Sequence, residues 1–122
     1  MDRHTNTATV TRVWDYVDPA WSSVDLTGFG VEATDGSIGT IDESSHEVGA
    51  SYLVVDTGPW IFGTKVMIPA GSVTSVNPDQ RKVYVELSKD EIKDAPEFDE
   101  HALHDEAYRS RLGSYYGELR GR

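Results

Sequence analysis

Two histidines and an aspartate near the C-terminus have the residue types and the spacing of a metal site. His104 and Asp105 follow His101 by three and four residues, which in an α-helix places all three side chains on one face. Two imidazoles and a carboxylate can bind zinc or another divalent cation. The same spacing, without a further ligand, is also typical of a solvated acidic helix in which the histidines are incidental. We therefore predict no metal cofactor and keep this site as an alternative hypothesis.

Other motifs that support catalysis or ligand binding are incomplete in this chain. Serine, histidine and aspartate are present, but no Gly-x-Ser-x-Gly sequence places a serine on a strained turn. Gly28 and Gly30 lack the third glycine and the following helix of a dinucleotide-binding loop. The aspartates between residues 15 and 42 lack the ligand pattern of a calcium loop. Because the chain also has no cysteine nucleophile, we predict that the protein is not an enzyme and has no cofactor.

Charge and hydropathy narrow the class of protein. Lys and Arg total 11 against 21 Asp and Glu, so the 122-residue chain carries a net charge of −10 at pH 7. This excess of acid disfavours nucleic acid and anionic membranes as partners, because both are negative themselves. No apolar run approaches the roughly 20 residues of a membrane helix, and the first residues lack the apolar stretch of a signal peptide. We expect a cytoplasmic protein with no membrane span and no nucleic-acid partner.

The middle of the chain has the pattern of short β-strands separated by turn residues. Alternating apolar and polar residues around Asp35-Gly36 predict a hairpin, because this residue pair tolerates a positive φ. A continuous apolar run at 52–55 predicts a strand that is buried on both faces. The six predicted strands cover residues 31–34, 38–41, 52–55, 65–68, 72–76 and 82–87.

Six short strands with tight turns between them predict an all-β fold, a small, six-stranded and mainly antiparallel β-barrel. Closure into a barrel leaves no exposed edge strand. Strand alternation also selects the side chains that we expect in the core. These are Val31, Ala33, Ile38, Ile41, Leu53, Val55, Val66, Ile68, Val73, Val76, Val83 and Val85.

Short helices are predicted after the last strand. Ser88 and Glu91 have the spacing of a capping box, which predicts a helix over residues 89–95 that ends before a proline. A second short helix is predicted over residues 101–112, and Gly113 is expected to end it.

The flanks of the barrel are predicted to be separate arms. Trp14, Tyr16 and Trp21 stand within eight residues of each other, which is unusual for a disordered segment. We interpret them as anchors that hold the arm on the barrel or on a partner. The predicted organisation is an aromatic and acidic arm at 1–27, the barrel at 28–97 and an acidic, partly helical tail at 98–122.

Several of these segments together resemble the PRC-barrel family. Residues 26–42 resemble its first hairpin, residues 51–60 and 63–70 resemble the next one, and residues 92–96 resemble the end of the domain. The resemblance covers about residues 24–97, with the motifs in the family's order.

This family is named for the cytoplasmic domain of the photosynthetic reaction-centre H subunit, and it includes the protein-binding C-terminal domain of a ribosome maturation factor. The resemblance implies a small β-barrel used for protein contacts, with no catalytic residues to carry over. This sequence shows neither the membrane helix nor the RNA-modelling domain of those two proteins. With its two arms, it is more similar to stand-alone bacterial members.

An aromatic cluster falls at the predicted tip of a hairpin. Trp60, Ile61 and Phe62 lie between two glycines, in a position where turns seldom have large apolar residues. Either another part of the same chain covers this cluster or a protein partner does, since tryptophan-centred clusters are enriched among interface hot spots. In a homodimer both can hold.

We therefore predict a non-enzymatic protein-interaction or assembly module that associates with itself, with another protein, or with both. The predicted interface residues are Trp60, Ile61, Phe62, Trp14 and Trp21. The alternative is a regulatory domain that binds a metal or a small ligand through its acidic arms, with His101, His104 and Asp105 as candidate ligands.

The acidic composition predicts that the solubility of the protein is lowest near its isoelectric point, about pH 4.6. Repulsion between copies weakens as carboxylates become protonated towards this pH, and added salt screens the repulsion that remains. Solubility measured from acidic to neutral pH at low salt checks this. A minimum near neutral pH instead would mean that the fold or a bound cation neutralises the acidic residues.

Overall fold

The structure consists of a six-stranded sheet with short helices at its edges and one longer helix. The computed structural model describes residues 13–45, 51–58, 65–96 and 106–120. The strands are β1 (Gly30–Ala33), β2 (Gly36–Ser45), β3 (Tyr52–Asp56), β4 (Lys65–Pro69), β5 (Val73–Asn77) and β6 (Lys82–Val85). The helices are the 3-10 helices η1 (Pro19–Ser23) and η2 (Ala70–Ser72), and the α-helices α1 (Lys89–Lys93) and α2 (Glu106–Arg120). All six predicted strands are confirmed.

The strands lie in one sheet in the order β4-β3-β2-β1-β6-β5. Neighbouring strands are antiparallel except β1 and β6, which run parallel. The prediction of a mainly antiparallel sheet is therefore confirmed. The predicted closure into a barrel is wrong for the described residues, because β4 and β5 lie at opposite ends of the sheet and do not pair with each other.

The corner between β4 and β5 gives the physical reason for the open sheet. These two strands are joined by η2, whose backbone amides donate to other segments. The amide of Ala70 donates to the Ser51 carbonyl at 3.0 Å, and the amide of Gly71 donates to the Val13 carbonyl at 2.9 Å. A closed barrel requires a continuous ladder with a fixed stagger between its strands. At this corner Ser51 and Val13 take the hydrogen bonds instead.

Register shifts bend three of the strand pairs. The shift between β1 and β2 lies beside Ile38, the shift between β2 and β3 beside Asp42, and the shift between β5 and β6 beside Thr74. An extra residue on one strand bends it and increases its twist. Ile38 and Ile41 are therefore both buried, although strict alternation would place them on opposite faces.

The predicted hairpin between β1 and β2 is present, with its turn one residue earlier than predicted. Ala33 pairs with Gly36, so Thr34 and Asp35 form the turn. The carboxylate of Asp35 accepts a hydrogen bond from the amide of Lys89 at 2.9 Å. This contact holds the hairpin turn against the start of α1.

Most of the predicted core is confirmed. Ten of the twelve predicted residues are buried, and the other two, Val66 and Val76, are partly buried against them. The predicted burial of both faces of β3 is also confirmed, because every residue from 52 to 55 is buried. Strand alternation misses the buried residues that lie outside the strands or on the outer face of the sheet. These are Val13, Trp14, Tyr16, Leu26, Phe29, Tyr52, Val54, Met67, Ala70, Leu87, Ile92, Tyr108, Leu112 and Tyr116.

The capping box predicted for the first α-helix is confirmed. The Ser88 hydroxyl accepts the Glu91 amide at 3.1 Å, and the Glu91 carboxylate accepts the Ser88 amide at 2.8 Å. The helix ends at Lys93 rather than at Ala95, and the amide of Asp94 still donates to the carbonyl of Asp90.

The helix α2 extends beyond the predicted short helix, so the predicted end at Gly113 is wrong. Glycine lowers helix stability by about 1 kcal/mol relative to alanine, but a tertiary contact outweighs this preference. A Cβ at Gly113 would lie 2.8 Å from Nε1 of Trp14, so glycine allows the helix to approach the indole ring. The predicted start at His101 lies outside the described residues. Within the described ranges, no helix is both long and apolar enough to cross a membrane.

A substitution at Gly39 tests whether the bend of β2 requires glycine. This residue has a φ of +151°, and a Cβ at this position would overlap the carbonyl oxygen of Asp56 on β3. We expect Gly39→Ala to lower the free energy of unfolding by at least about 2 kcal/mol, because both the backbone angle and the contact oppose a side chain. Urea unfolding followed by circular dichroism measures this.

Gly58→Ala is the matched control, because Gly58 also has a positive φ, +57°, but has open space around its Cβ position. We expect it to cost about 1 kcal/mol from backbone strain alone. Equal losses in the two variants would contradict the steric role of Gly39.

Candidate functional site

The aromatic cluster predicted as the centre of an interface lies outside the described residues. Trp60, Ile61 and Phe62 stand in the sequence between β3 and β4, whose pairing ends at Asp56 and Lys65. Their role in an interface stays a prediction.

The candidate metal ligands His101, His104 and Asp105 also lie outside the described residues. In the part of the chain that the structure describes, no three His, Cys, Asp or Glu side chains are grouped closely enough to hold a metal ion. The metal hypothesis therefore stays a prediction.

Trp14 is buried within its own chain, with 9% of its surface exposed. The guanidinium carbon of Arg109, on α2, lies 4.6 Å from the centre of the indole ring and 5.7 Å from the ring of Tyr52 on β3. Cation–π contacts of this kind attract the guanidinium to the ring faces. The sequence leaves open whether Trp14 contacts its own chain or a partner. In the structure Trp14 contacts its own chain and anchors the arm on the sheet.

The backbone around Trp14 strengthens this anchor. The Trp14 carbonyl accepts the amide of Ser51 at 2.7 Å, at the start of β3, and the Val13 carbonyl accepts the amide of Gly71. On the other side, a Cβ at Gly117 of α2 would lie 3.8 Å from Val13, which is ordinary contact distance. Val13 and Trp14 therefore contact both the sheet and α2.

Trp21 lies in η1 and is partly buried against the core. The carboxylate of Asp18 caps this short helix by accepting the amide of Ala20 at 2.9 Å, and the amide of Val24 donates to the Trp21 carbonyl at 3.2 Å. The described part of the N-terminal arm thus shares the core of the sheet, and the predicted domain boundary at residue 27 stays a prediction.

The outer face of the sheet has a covered half and an open half. On β3 and β4 the outward side chains Tyr52, Val54 and Met67 are buried. On β1, β5 and β6 the outward side chains are partly or fully exposed. We call these residues, together with Glu86 directly after β6, the open face: Glu32, Ser75, Lys82, Tyr84 and Glu86.

Tyr84 lies at the centre of the open face. Its side chain is 36% exposed, and its neighbours across the sheet are Glu32 on β1 and Ser75 on β5. The ammonium of Lys82 lies 3.2 Å from the carboxylate of Glu32 and links β6 to β1. Tyrosine itself is enriched in protein interfaces, because it combines an apolar ring with a polar hydroxyl.

The strand β5 forms the edge of the sheet next to the open face. One side of β5 pairs with β6, and the other side has no strand partner among the described residues. Thr74 and Ser75 are exposed, and the five residues of β5 include no charged residue and no proline. An edge of this kind offers backbone donors and acceptors that another strand can bind.

The tyrosines of α2 are buried or partly buried, and Tyr16 of the arm is buried too. The Tyr115 hydroxyl donates to the Glu91 carbonyl at 2.6 Å and joins α2 to α1. Burial raises the pKa of Tyr116 far above its usual range, and the nearby Tyr115, Tyr108 and Glu91 raise it further. Burial also raises the pKa of Tyr16 to about 12. The hydroxyls of Tyr16 and Tyr116 therefore remain protonated at neutral pH.

Arg81 holds the turn between β5 and β6 against the start of β1. Its φ is +54°, and its guanidinium lies 5.5 Å from the centre of the Phe29 ring and donates to the Thr27 carbonyl at 3.4 Å. A Cβ at Gly28 would come within 2.7 Å of this guanidinium, so the contact needs glycine there. Turn residues in the sequence predict a turn before β6, but they do not predict the left-handed backbone conformation of Arg81.

Neither Tyr84 nor β5 stands out in the sequence as a functional feature. A signal was present, because residues 72–76 have no charged side chain in a chain of which 26% is charged. The predicted barrel closure hid it, since a closed barrel has no edge for such a strand to form.

Buried tyrosines predict a loss of stability above pH 10. Burial raises the pKa of Tyr16 from its ordinary value of 10.0 to about 12 in the folded chain, so its contribution to stability is complete below pH 10. Between these values the unfolded chain releases a proton that the folded chain keeps, and the free energy of unfolding falls as the pH rises. Urea unfolding at several pH values in this interval measures the fall.

Tyr16→Phe is the control for this prediction, because phenylalanine keeps the buried ring and removes the titrating hydroxyl. We expect the variant to lose less stability than the wild type as the pH rises through this interval. The same pH dependence in both proteins would contradict the assignment to Tyr16.

In comparisons with known proteins, no family and no curated protein matches this chain. Among solved structures, the chain is similar to a 16S ribosomal RNA processing protein, RimM, from Pseudomonas aeruginosa. The two chains are 24% identical, with a TM-score of 0.45. The similarity covers 53% of this chain and 42% of the Pseudomonas chain, so this chain matches less than half the length of that protein.

Proposed function

We propose that this chain is a non-enzymatic protein-interaction module that associates with itself. The observation that carries the proposal is the uneven cover of the sheet. Arg109 of α2 lies against Tyr52, and the outward side chains of β3 and β4 are buried, whereas the open face and the β5 edge are exposed among the described residues. An exposed strand edge beside an exposed tyrosine is a surface that a second polypeptide can cover by pairing with it.

The charges of the open face favour a protein partner over a polyanion. Glu32 and Lys82 form an ion pair, and Glu86 adds a negative charge, so the face has no excess of cations. Phosphate backbones are bound by clusters of lysine and arginine. The net charge of −10 points the same way, which supports the absence of a nucleic-acid partner and is in keeping with a cytoplasmic location.

We also propose that the sheet is of the PRC-barrel type. In support, the residues that resemble the family's first hairpin fall on β1 and β2, which pair with each other. The residues that resemble the second hairpin include β3 and β4, which also pair. The resemblance implies a domain used for protein contacts, in keeping with the proposed function.

The proposed interface includes the aromatic cluster between β3 and β4. Because Trp14 is buried under its own helix, the proposal assigns the contact to Trp60, Ile61 and Phe62, with the partly exposed Trp21 as a further candidate. Burial of a large aromatic ring removes about 150–250 Å² of surface from water.

Trp60→Ala tests the proposal. Loss of an interfacial hot spot costs at least about 2 kcal/mol, which is roughly a thirtyfold loss of affinity. We expect this variant to weaken self-association with little change in melting temperature, and Phe62→Ala to act in the same direction with a smaller effect. Sedimentation velocity and a thermal melt on the same samples separate association from stability.

Trp14→Phe is a control, since Trp14 is buried within the chain. It is expected to lower the melting temperature and leave the association constant unchanged. An unchanged oligomer together with a destabilised fold in Trp60→Ala would contradict an interface at the cluster. Addition of a chelator to the wild type tests the alternative, because only the metal-binding hypothesis predicts that assembly depends on a cation.

A further inference from the structure

We infer that β5 is the strand through which two copies of this chain pair, edge to edge and antiparallel. The inference rests on the proposed function, since it names the partner and the contact of a module that associates with itself. The inferred contact lies on backbone that the structure describes, and it is separate from the aromatic cluster between β3 and β4.

The two edges of the sheet are unequal. The strand β4 begins with Lys65, whose ammonium lies 2.8 Å from the carboxylate of Asp42, and ends with Pro69, which has no amide hydrogen to donate. Natural edge strands often carry lysine or proline, and these residues hinder pairing with another strand. By contrast β5 has neither, and its only protective feature in the described structure is the register shift at Thr74.

The side chains of β5 favour an added strand. Val73, Thr74 and Val76 are β-branched, a class of residue enriched in strands. Thr74 and Ser75 are exposed, and Val76 and Asn77 are partly exposed, so an incoming strand meets small or uncharged groups. Backbone hydrogen bonds supply the affinity of such a pairing.

A second copy in antiparallel orientation fits this edge. Each copy carries a net charge of −10, but β5 is uncharged, so no like charges meet where two β5 strands pair. A two-fold axis perpendicular to the sheet pairs β5 with itself in antiparallel orientation, so each copy offers the other the same backbone donors and acceptors.

Tyr84 lies beside the contact in this arrangement. It is the β6 neighbour of Ser75 and belongs to the open face. An added strand continues that face beyond Ser75 and lies two strand spacings, about 9–10 Å, from β6.

Ser75→Lys tests the inference. It places two ammonium groups close to the contact of the two β5 strands, and we expect self-association to weaken by at least about tenfold in sedimentation velocity. The direction of the change in affinity is informative. An added lysine reduces the net negative charge of the chain and so weakens the general repulsion between copies. Only a local contact at β5 turns this substitution into a loss of affinity.

Ser37→Lys is the matched control. Ser37 is also an exposed serine on a strand, but β2 lies inside the sheet, and the change in net charge is identical. We expect this variant to associate at least as well as the wild type. Circular dichroism and a thermal melt establish that both variants are folded.

Amide hydrogen exchange of the wild type gives a second readout that needs no substitution. As protein concentration rises, exchange is expected to slow at amides of β5 and to stay constant at amides of β4. A wild type that is monomeric at all concentrations would overturn the proposed function itself. A wild type that associates, with Ser75→Lys equal to Ser37→Lys or with constant exchange in β5, would overturn the β5 contact and leave self-association standing.

Discussion

Burial of both faces of β3 is the constraint on which the rest of the structure depends. Leu53 and Val55 face the inner core that the curved sheet forms, whereas Tyr52 and Val54 point outward and are equally buried. A sheet covers its inner face by bending, but its outer face needs segments from elsewhere in the chain. Trp14 accepts a hydrogen bond at the start of β3 and Arg109 of α2 lies against Tyr52, whereas the outward side chains of β1, β5 and β6 are partly or fully exposed.

Local patterns made most of the fold predictable. The hairpin at Asp35, the capping box at Ser88 and the strand alternation depend on residues close in sequence, and the structure contains all three. Whether the sheet closes into a barrel was not predictable in this way. It depends on where the amides of η2 find acceptors, and those acceptors, on Ser51 and Val13, are distant in sequence. The length of α2 depends likewise on a contact of Gly113 with Trp14.

The candidate site was less predictable than the fold. Large aromatic residues stand out in a sequence, so Trp14 and the cluster at Trp60 attract attention, yet Trp14 serves the chain's own packing. The open face carries ordinary polar residues around Tyr84, and it is recognisable only once the strand order shows which strands the helix and the arm leave uncovered. An edge strand, moreover, is a property of the whole sheet and has no local signature.

The parallel pairing of β1 with β6 has a bearing on how this chain folds. Glu32 and Lys82, which join the two strands, are 50 residues apart, whereas the hairpin between β1 and β2 closes over a two-residue turn. The entropy lost in closing a loop rises with its length, and sheets with distant pairings fold more slowly than those built from hairpins. Until β6 arrives, β1 is itself an edge with unsatisfied backbone groups. The net charge of −10 opposes association of chains during this interval, because like-charged chains repel each other.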